Sequence, residues 1–320
     1  MIALGIDAGL LIRSLRSALR SVKRDRQIVA SLAPTRTPGA AAPLPRPPES
    51  MRPDRPEVIN PVGSGAMAEI GPGVNFECLV GARNHARNLT TGIVTFDPNA
   101  ELSYHSHPFS ESITLLSGQA VVEVEGRRYE LGPLDNVVIP KELAHFAKNT
   151  KYNENAVFHI AMASDTPTRV AVNRFFPRRS MGEAATGIKG GERVNRFRTA
   201  PRYEAGPNTA FIDFFNKDLM PGIEMSGGYG LFHPGGRLPA HVHDFDESIS
   251  IIEGRATCVV EGRRYAMSDC ATALEPRGRV HYFINESQEP MAMLWVYAGP
   301  VPERVVVDER CATAEGNPWK

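Results

Sequence analysis

The chain contains the same pattern twice. At a constant offset of 136 residues, His105, His107 and Glu111 fall on His241, His243 and Glu247, and His145 falls on His281. The string Glu125-Gly126-Arg127-Arg128-Tyr129 falls on Glu261-Gly262-Arg263-Arg264-Tyr265. Gly92, Phe96, Gly118, Pro140 and Asn149 likewise fall on Gly228, Phe232, Gly254, Pro276 and Asn285. The register holds without a gap from Gly92 to Asn149, and six of the nine histidines occupy repeated positions. Two copies of one domain-sized unit are the constraint from which any fold must start.

Each copy reads as a series of short strands. Thr91–Asp97, Ser112–Leu116, Ala120–Val124, Arg127–Leu131 and Asn136–Ile139 are runs rich in β-branched and apolar residues, with Gly118 and Gly126 as turns between them. Gly230–Phe232, Ser248–Ile252, Ala256–Val260, Arg263–Met267 and Ala271–Leu274 repeat the series. Evenly spaced short strands with glycine turns predict an all-β chain of two barrels or jelly rolls. The polar, basic stretch Pro167–Tyr203 is expected to connect them and to contain a short helix.

The repeated polar residues have the chemistry of a metal site. On a strand, His-x-His sends both imidazoles to one face, because side chains alternate. A glutamate four residues on can return to the same point, and a third histidine arrives from a later strand. Three imidazoles and a carboxylate suit a divalent first-row metal with coordination positions to spare.

The motifs resemble those of the cupin superfamily. The first motif runs HSHPFSESITLLSG from His105 to Gly118 and HVHDFDESISIIEG from His241 to Gly254. The second runs PKELAHFAKN from Pro140 to Asn149 and PRGRVHYFIN from Pro276 to Asn285. The resemblance implies two tandem cupin jelly-roll β-barrels behind a helical, Pro-rich N-terminal extension. It implies one metal on His105, His107, Glu111 and His145 and another on His241, His243, Glu247 and His281. Iron or manganese is favoured, with nickel, copper and zinc open. Four motif glycines are replaced, by Asn99, Leu134, Glu142 and Cys270. These are turn positions, where the change bears on loop geometry rather than on ligation.

Around the ligands, the 136-residue offset sets His159 against Trp295 and Ser110 against Asp246. His159 and Asp246 are the candidate proton-transfer groups at the first and second centres. Packing inside the barrel is the plainer fate for His159. Phe109, Phe146, Phe245, Tyr282 and Trp295 are candidates to line apolar mouths. Arg127-Arg128 and Arg263-Arg264 read as solvated hairpin residues. The functional expectation is a metal-dependent dioxygenase of the quercetinase-like bicupin type, acting on a small aromatic or oxygenated substrate. The alternative is a non-redox metalloenzyme similar to ureidoglycine aminohydrolase or to cupin lyases and isomerases. Oxalate decarboxylase-type bicupins rank lower, because their lid glutamate motif is not found. A binding or storage cupin comes last, because both ligand sets are complete.

The chain divides into a basic amphipathic helix or extension over residues 1–33, a Pro-rich linker over 34–60, a first barrel over 61–175, and a connector with a second barrel over 176–320. The amphipathic stretch has Leu11, Leu15, Ala18 and Val22 on one face and Arg13, Arg16, Arg20 and Arg24 opposite. It reads as a weakly structured extension, with membrane contact or a presequence as lesser alternatives. A formal net charge of zero speaks against a nucleic-acid partner. Cys78, Cys258, Cys270 and Cys311 form no CxxC pair, which predicts reduced thiols in a cytoplasmic protein. A small-molecule substrate and a homo-oligomer, the latter through exposed barrel edges, complete the expectations.

Overall fold

A computed structural model of the chain describes residues 45–320. The amphipathic stretch and most of the Pro-rich run lie outside the described residues. Helix among the described residues is confined to three 3₁₀ turns, Glu49–Met51, Ala82–Asn84 and Glu309–Ala312. The rest is strand and loop, in four sheets that pair into two barrels. The expected helix in the connector is absent. That stretch instead holds the short strands Val170–Ala171, Arg179–Ser180, Gly187–Ile188 and Arg193–Asn195.

In the first barrel, one sheet contains Asn136–Ile139, Glu111–Ser117, Ala156–Met162, Thr90–Phe96 and Val74–Val80 as neighbours. The other contains Glu101–Ser106, His145–Asn149, Ala120–Val124 and Arg127–Leu131. The second barrel repeats this with Thr272–Glu275, Glu247–Glu253, Met291–Tyr297 and Ser226–Phe232 facing His241–Val242, His281–Ile284, Arg255–Val260 and Arg263–Ser268. The central strands are buried along their whole length, because both faces are covered. In Ala156–Met162, the side chains of Phe158, Ile160 and Met162 enter the first barrel's core. Val157 and Ala161 instead join a core between the barrels, with Ile93 and Leu116 against Phe214, Tyr229, Ile252, Leu294 and Val296. Fully burying a side chain such as Phe158 contributes about 2–3 kcal/mol.

The barrels exchange their leading strands. Val58–Asn60, upstream of the first barrel, pairs antiparallel with Thr272–Glu275 of the second. Arg193–Asn195, upstream of the second, pairs antiparallel with Asn136–Ile139 of the first. Each exchanged strand carries a buried glutamate just before it. Glu192 receives Arg127 at 2.7 and 2.9 Å and the Tyr129 hydroxyl. Glu57 receives Arg263 and accepts from the Tyr265 hydroxyl at 2.7 Å. The repeated Arg and Tyr of the hairpins therefore dock the exchanged strands; this corrects the reading of Arg127 as solvated, while Arg263 remains exposed to solvent as it pairs with Glu57. The pairing also ties the end of the Pro-rich stretch 34–60 to the second barrel, through Val58–Asn60.

The replaced motif glycines keep the glycine conformation. Asn99, Leu134, Glu142 and Cys270 have φ of 61°, 67°, 67° and 63°, a left-handed geometry that costs a non-glycine residue roughly 1–2 kcal/mol. At one counterpart, glycine is retained for space: a Cβ on Gly278 would lie 1.7 Å from the Met51 carbonyl oxygen. The N-terminal segment thus lies directly on the loop before His281.

Candidate metal centres

In each barrel the first two ligand candidates come from one strand region and the third from the strand beside it. His105 pairs with His145 across the sheet, and His241 pairs with His281 in the same way. The glutamate opens a strand of the opposite sheet, Glu111–Ser117 or Glu247–Glu253, and points back across the barrel. All four ligand atoms in each set lie within 4.8 Å of one another, and all eight residues are buried.

The ring tautomers are set by the backbone. Nδ1 faces a carbonyl in all six histidines: His105 to Ser103 at 2.8 Å, His107 to Thr168 at 2.6 Å and His145 to Leu143 at 3.0 Å in the first barrel. His241 faces Pro239 at 2.8 Å, His243 faces Phe245 at 3.0 Å and His281 faces Arg279 at 2.9 Å in the second. A carbonyl only accepts, so each Nδ1 carries the proton and each Nε2 presents a lone pair to the cluster in the neutral ring. Glu111 Oε2 lies 2.9 Å from His145 Nε2, yet neither buried atom has a hydrogen-bond partner of sound geometry. Glu247 Oε2 lies 2.8 Å from His243 Nε2 and 3.0 Å from His281 Nε2. Converging ligand atoms fit a divalent cation in each cluster, and in the first the orphaned Glu111 Oε2 and His145 Nε2 add to that fit.

Without a metal, each carboxylate takes positive charge from the imidazoles beside it, the part a bound cation would fill: burial lowers the pKa of His107, but Glu111 outweighs burial and raises it. Burial pushes His105 down to about 3 and His241 well below the ordinary imidazole range, so both stay neutral. Burial opposes ionisation of Glu247, but His243 and His281 outweigh it and hold the carboxyl down to about 2. Glu111 is likewise held low by His107 and His145 against burial.

The two centres differ in what surrounds them. A cavity of about 160 Å³ opens on His241, Glu247 and His281 and is walled by Phe211, Phe283, Met293, Trp295 and Tyr297. Arg304 stands in its lining. The Arg304 guanidinium donates to the Ala205 carbonyl at 2.9 Å and has no acidic partner among the described residues. A larger open depression of about 540 Å³, bordered by Arg55, His85, Arg87 and Asp165, holds neither cluster, and its arginines are already bonded to Asp54 and Asp246.

Neither proton-transfer candidate stands free at a centre. His159 lies on the face of its strand shared with Val157 and Ala161, toward the core between the barrels. The loop before this strand is one residue longer than its counterpart, so His159 corresponds to Leu294 and Trp295 to Ile160. A one-residue slip on a strand exchanges its faces. Asp246 is buried, but Arg55 grips it at 2.8 Å through both oxygens and the backbone N–H groups of Arg87 and Arg277 donate to it at 2.7 and 3.1 Å. Four donors make it a structural anchor. Of the expected aromatics, Phe109 and Phe245 stack on His107 and His243 at 5.0 and 5.2 Å.

Arg304 escaped the sequence reading for the same reason as the His159 slip. Pro302-Glu303-Arg304-Val305-Val306-Val307 repeats Pro167-Thr168-Arg169-Val170-Ala171-Val172, one residue out of the 136-residue register. Both segments add a short strand beside the first ligand histidine, Ala171 opposite His105 and Val306 opposite His241.

The family model described as "Cupin domain" matches residues 92–161 and 228–297. The chain carries two cupin domains in tandem and is a bicupin. No curated protein matches its sequence. Among solved structures, it resembles the oxalate decarboxylase formate complex of Lactobacillus farciminis at 16% identity and a TM-score of 0.62, over 86% of this chain and 91% of that one. Bacillus subtilis oxalate decarboxylase, in a structure concerned with its Mn(II) centres, matches at 16% identity and a TM-score of 0.60, over 84% and 88% of the two chains. AerE from Microcystis aeruginosa matches at 14% identity and a TM-score of 0.54, over 73% and 96%. At such identities the likeness is one of fold.

Among the described residues no helix is long and apolar enough to cross a membrane. All four cysteines are free.

Proposed function

We propose that the chain is a metal-dependent enzyme in which His105, His107, Glu111 and His145 hold one divalent metal and His241, His243, Glu247 and His281 hold another. The second centre carries the chemistry, a non-redox cleavage of a small carboxylate of the decarboxylase or lyase kind. The observation that carries this reading is the cavity of about 160 Å³ that opens on the second cluster and includes the unpaired Arg304. A cavity of roughly 150 Å³ accommodates benzene, so the occupant is a molecule of that size, smaller than the multi-ring substrate that a quercetinase-like enzyme would need.

Arg304 supplies a planar fork of donors that suits a carboxylate. Phe211, Phe283, Met293 and Trp295 keep water away and strengthen that charge pairing. A divalent metal, when bound, supplies a Lewis acid that draws electron density from a substrate oxygen. In a decarboxylation the C–C electron pair stays with the retained fragment, which takes up one proton as CO₂ leaves, and no oxidant is consumed. Manganese is favoured and iron comes next. The donor set suits either, and the similarly folded Bacillus subtilis enzyme has Mn(II) centres.

The aromatic walls favour a second reading, the dioxygenase. The test is turnover of a panel of small mono- and dicarboxylates by manganese-loaded and iron-loaded protein, with CO₂ and dissolved oxygen followed together. Product without oxygen uptake supports the non-redox reading. Stoichiometric oxygen uptake assigns the dioxygenase. Failure of every carboxylate to bind or react overturns the assignment of Arg304 as the substrate anchor.

A further inference from the structure

The loop between His243 and Glu247 of the second centre, Asp244-Phe245-Asp246, is tied down at every residue. Asp244 pairs with Arg277, the Phe245 carbonyl accepts from His243 Nδ1 at 3.0 Å, and Asp246 is gripped by Arg55. Arg55 comes from the N-terminal segment, more than 190 residues away in sequence. Its guanidinium also donates to the His85 carbonyl of the first barrel and, at 3.0 Å, to Asp54. The side chains of Arg55 and Asp246 are 11% and 1% exposed, so the pair is shielded from solvent. The first barrel lacks this tie. Its exchanged segment has Gly190 two residues before Glu192, where the other has Arg55 two residues before Glu57. Its ligand loop has Ser110 where the second has Asp246, and Ser110 bonds to Glu224. Arginine and aspartate thus occur together at one centre, and glycine and serine together at the other.

We propose that Arg55 is a positioning residue of the second metal centre: by clamping Asp246 it fixes the adjoining Glu247 and, through Phe245, the ring of His243. The N-terminal segment is then part of the second centre, and the first centre does without it. This rests on the reading that the second cluster binds metal. Partners that orient ligands from one shell out typically account for 10–100-fold in metal affinity. Removing one member of a buried ion pair also destabilises the fold, whereas removing both relieves the uncompensated charge. That difference separates positioning from simple support.

The experiment titrates manganese into the full chain carrying His105→Ala, which isolates the second centre, and into the chain carrying His241→Ala, which isolates the first. Each background is combined with Arg55→Met, and with Arg55→Met plus Asp246→Ser. Affinity is read by calorimetry, the Mn(II) environment by electron paramagnetic resonance, and the fold by thermal unfolding. Arg55→Met should weaken manganese at the second centre about 10–100-fold and alter its spectrum while leaving the first unchanged. The double variant should regain part of the thermal stability, since the N–H groups of Arg87 and Arg277 lose their acceptor, without regaining affinity. Unchanged affinity, equal loss at both centres, or affinity that returns with stability would each overturn the proposal. A parent chain in which no bound manganese depends on His241 would overturn the metal reading itself, and the proposal with it.

Discussion

His159 occupies in the first barrel the place that Leu294 occupies in the second: His159 lies opposite Ile93, and Leu294 lies opposite Tyr229, in matching strands. A histidine therefore replaces a leucine in the apolar layer between the barrels, and its Nε2 is buried without a partner. Burial pushes its pKa down to about 4. Because that value lies below the ordinary one of about 6.5, the unfolded chain binds the proton first as pH falls. Stability should drop between pH 6.5 and 4, and His159→Leu should remove most of that slope while leaving turnover near pH 7 unchanged. Urea unfolding across this range measures it, and a large loss of activity in His159→Leu would return the residue to the catalytic list.

Glu275 shows the opposite sign. It faces the second barrel's interior where the first has Ile139, and the Cys258 thiol donates to it at 3.2 Å. Burial raises its pKa to about 7. The folded chain then holds a proton that the unfolded chain has released, from about pH 4.5 upward. Metal-free protein should lose stability as pH rises from about 4.5 to 7 and then level off, by on the order of 3 kcal/mol in all. Glu275→Gln should flatten that curve, as denaturant titrations at pH 5 and pH 8 would reveal.

The eight candidate ligands were legible as two clusters because a metal would impose their spacing and the duplication states it twice. The barrel strands were legible because alternation and glycine turns are local; Ala120–Val124, Arg127–Leu131 and Asn136–Ile139 have the expected bounds. What escaped was non-local or out of register. Nothing local announces that Val58–Asn60 pairs with residues more than 200 positions away. The loop after the conserved-looking Asn149 and Asn285 changes length by one residue, and that single step turned His159 away from the metal and hid Arg304. Asp246 had the right chemistry for a base, but its partner Arg55 lay in a segment read as linker.

The two centres should separate by mutation. His105→Ala and His241→Ala should each remove about one metal equivalent, because each deletes one of four ligands. Catalysis should fall by orders of magnitude in His241→Ala and far less in His105→Ala, because the Arg304-bearing cavity belongs to the second centre. Elemental analysis beside steady-state assays decides it; equal, complete loss of activity from both, with the fold intact, would mean that the centres work as one.

Arg304 and Arg169 offer the sharpest test of where substrate binds. Both precede the short strand beside the first ligand histidine, yet their bonding differs. Arg169 donates to the Ile70 carbonyl on the protein surface, and Arg304 faces the cavity beside the second cluster. A hydrogen bond to a charged group contributes roughly 1.5–3 kcal/mol. Arg304→Ala should therefore raise KM for a carboxylate substrate about 10–100-fold, with a smaller effect on kcat if the anchor grips ground state and transition state alike. Arg304→Lys should recover part of the loss, since an ammonium keeps the charge but not the fork. Arg169→Ala should change neither constant appreciably. If the two alanine variants behave the same, the carboxylate is recognised elsewhere; if Arg304→Ala lowers kcat alone, the guanidinium acts in the bond-breaking step rather than in binding.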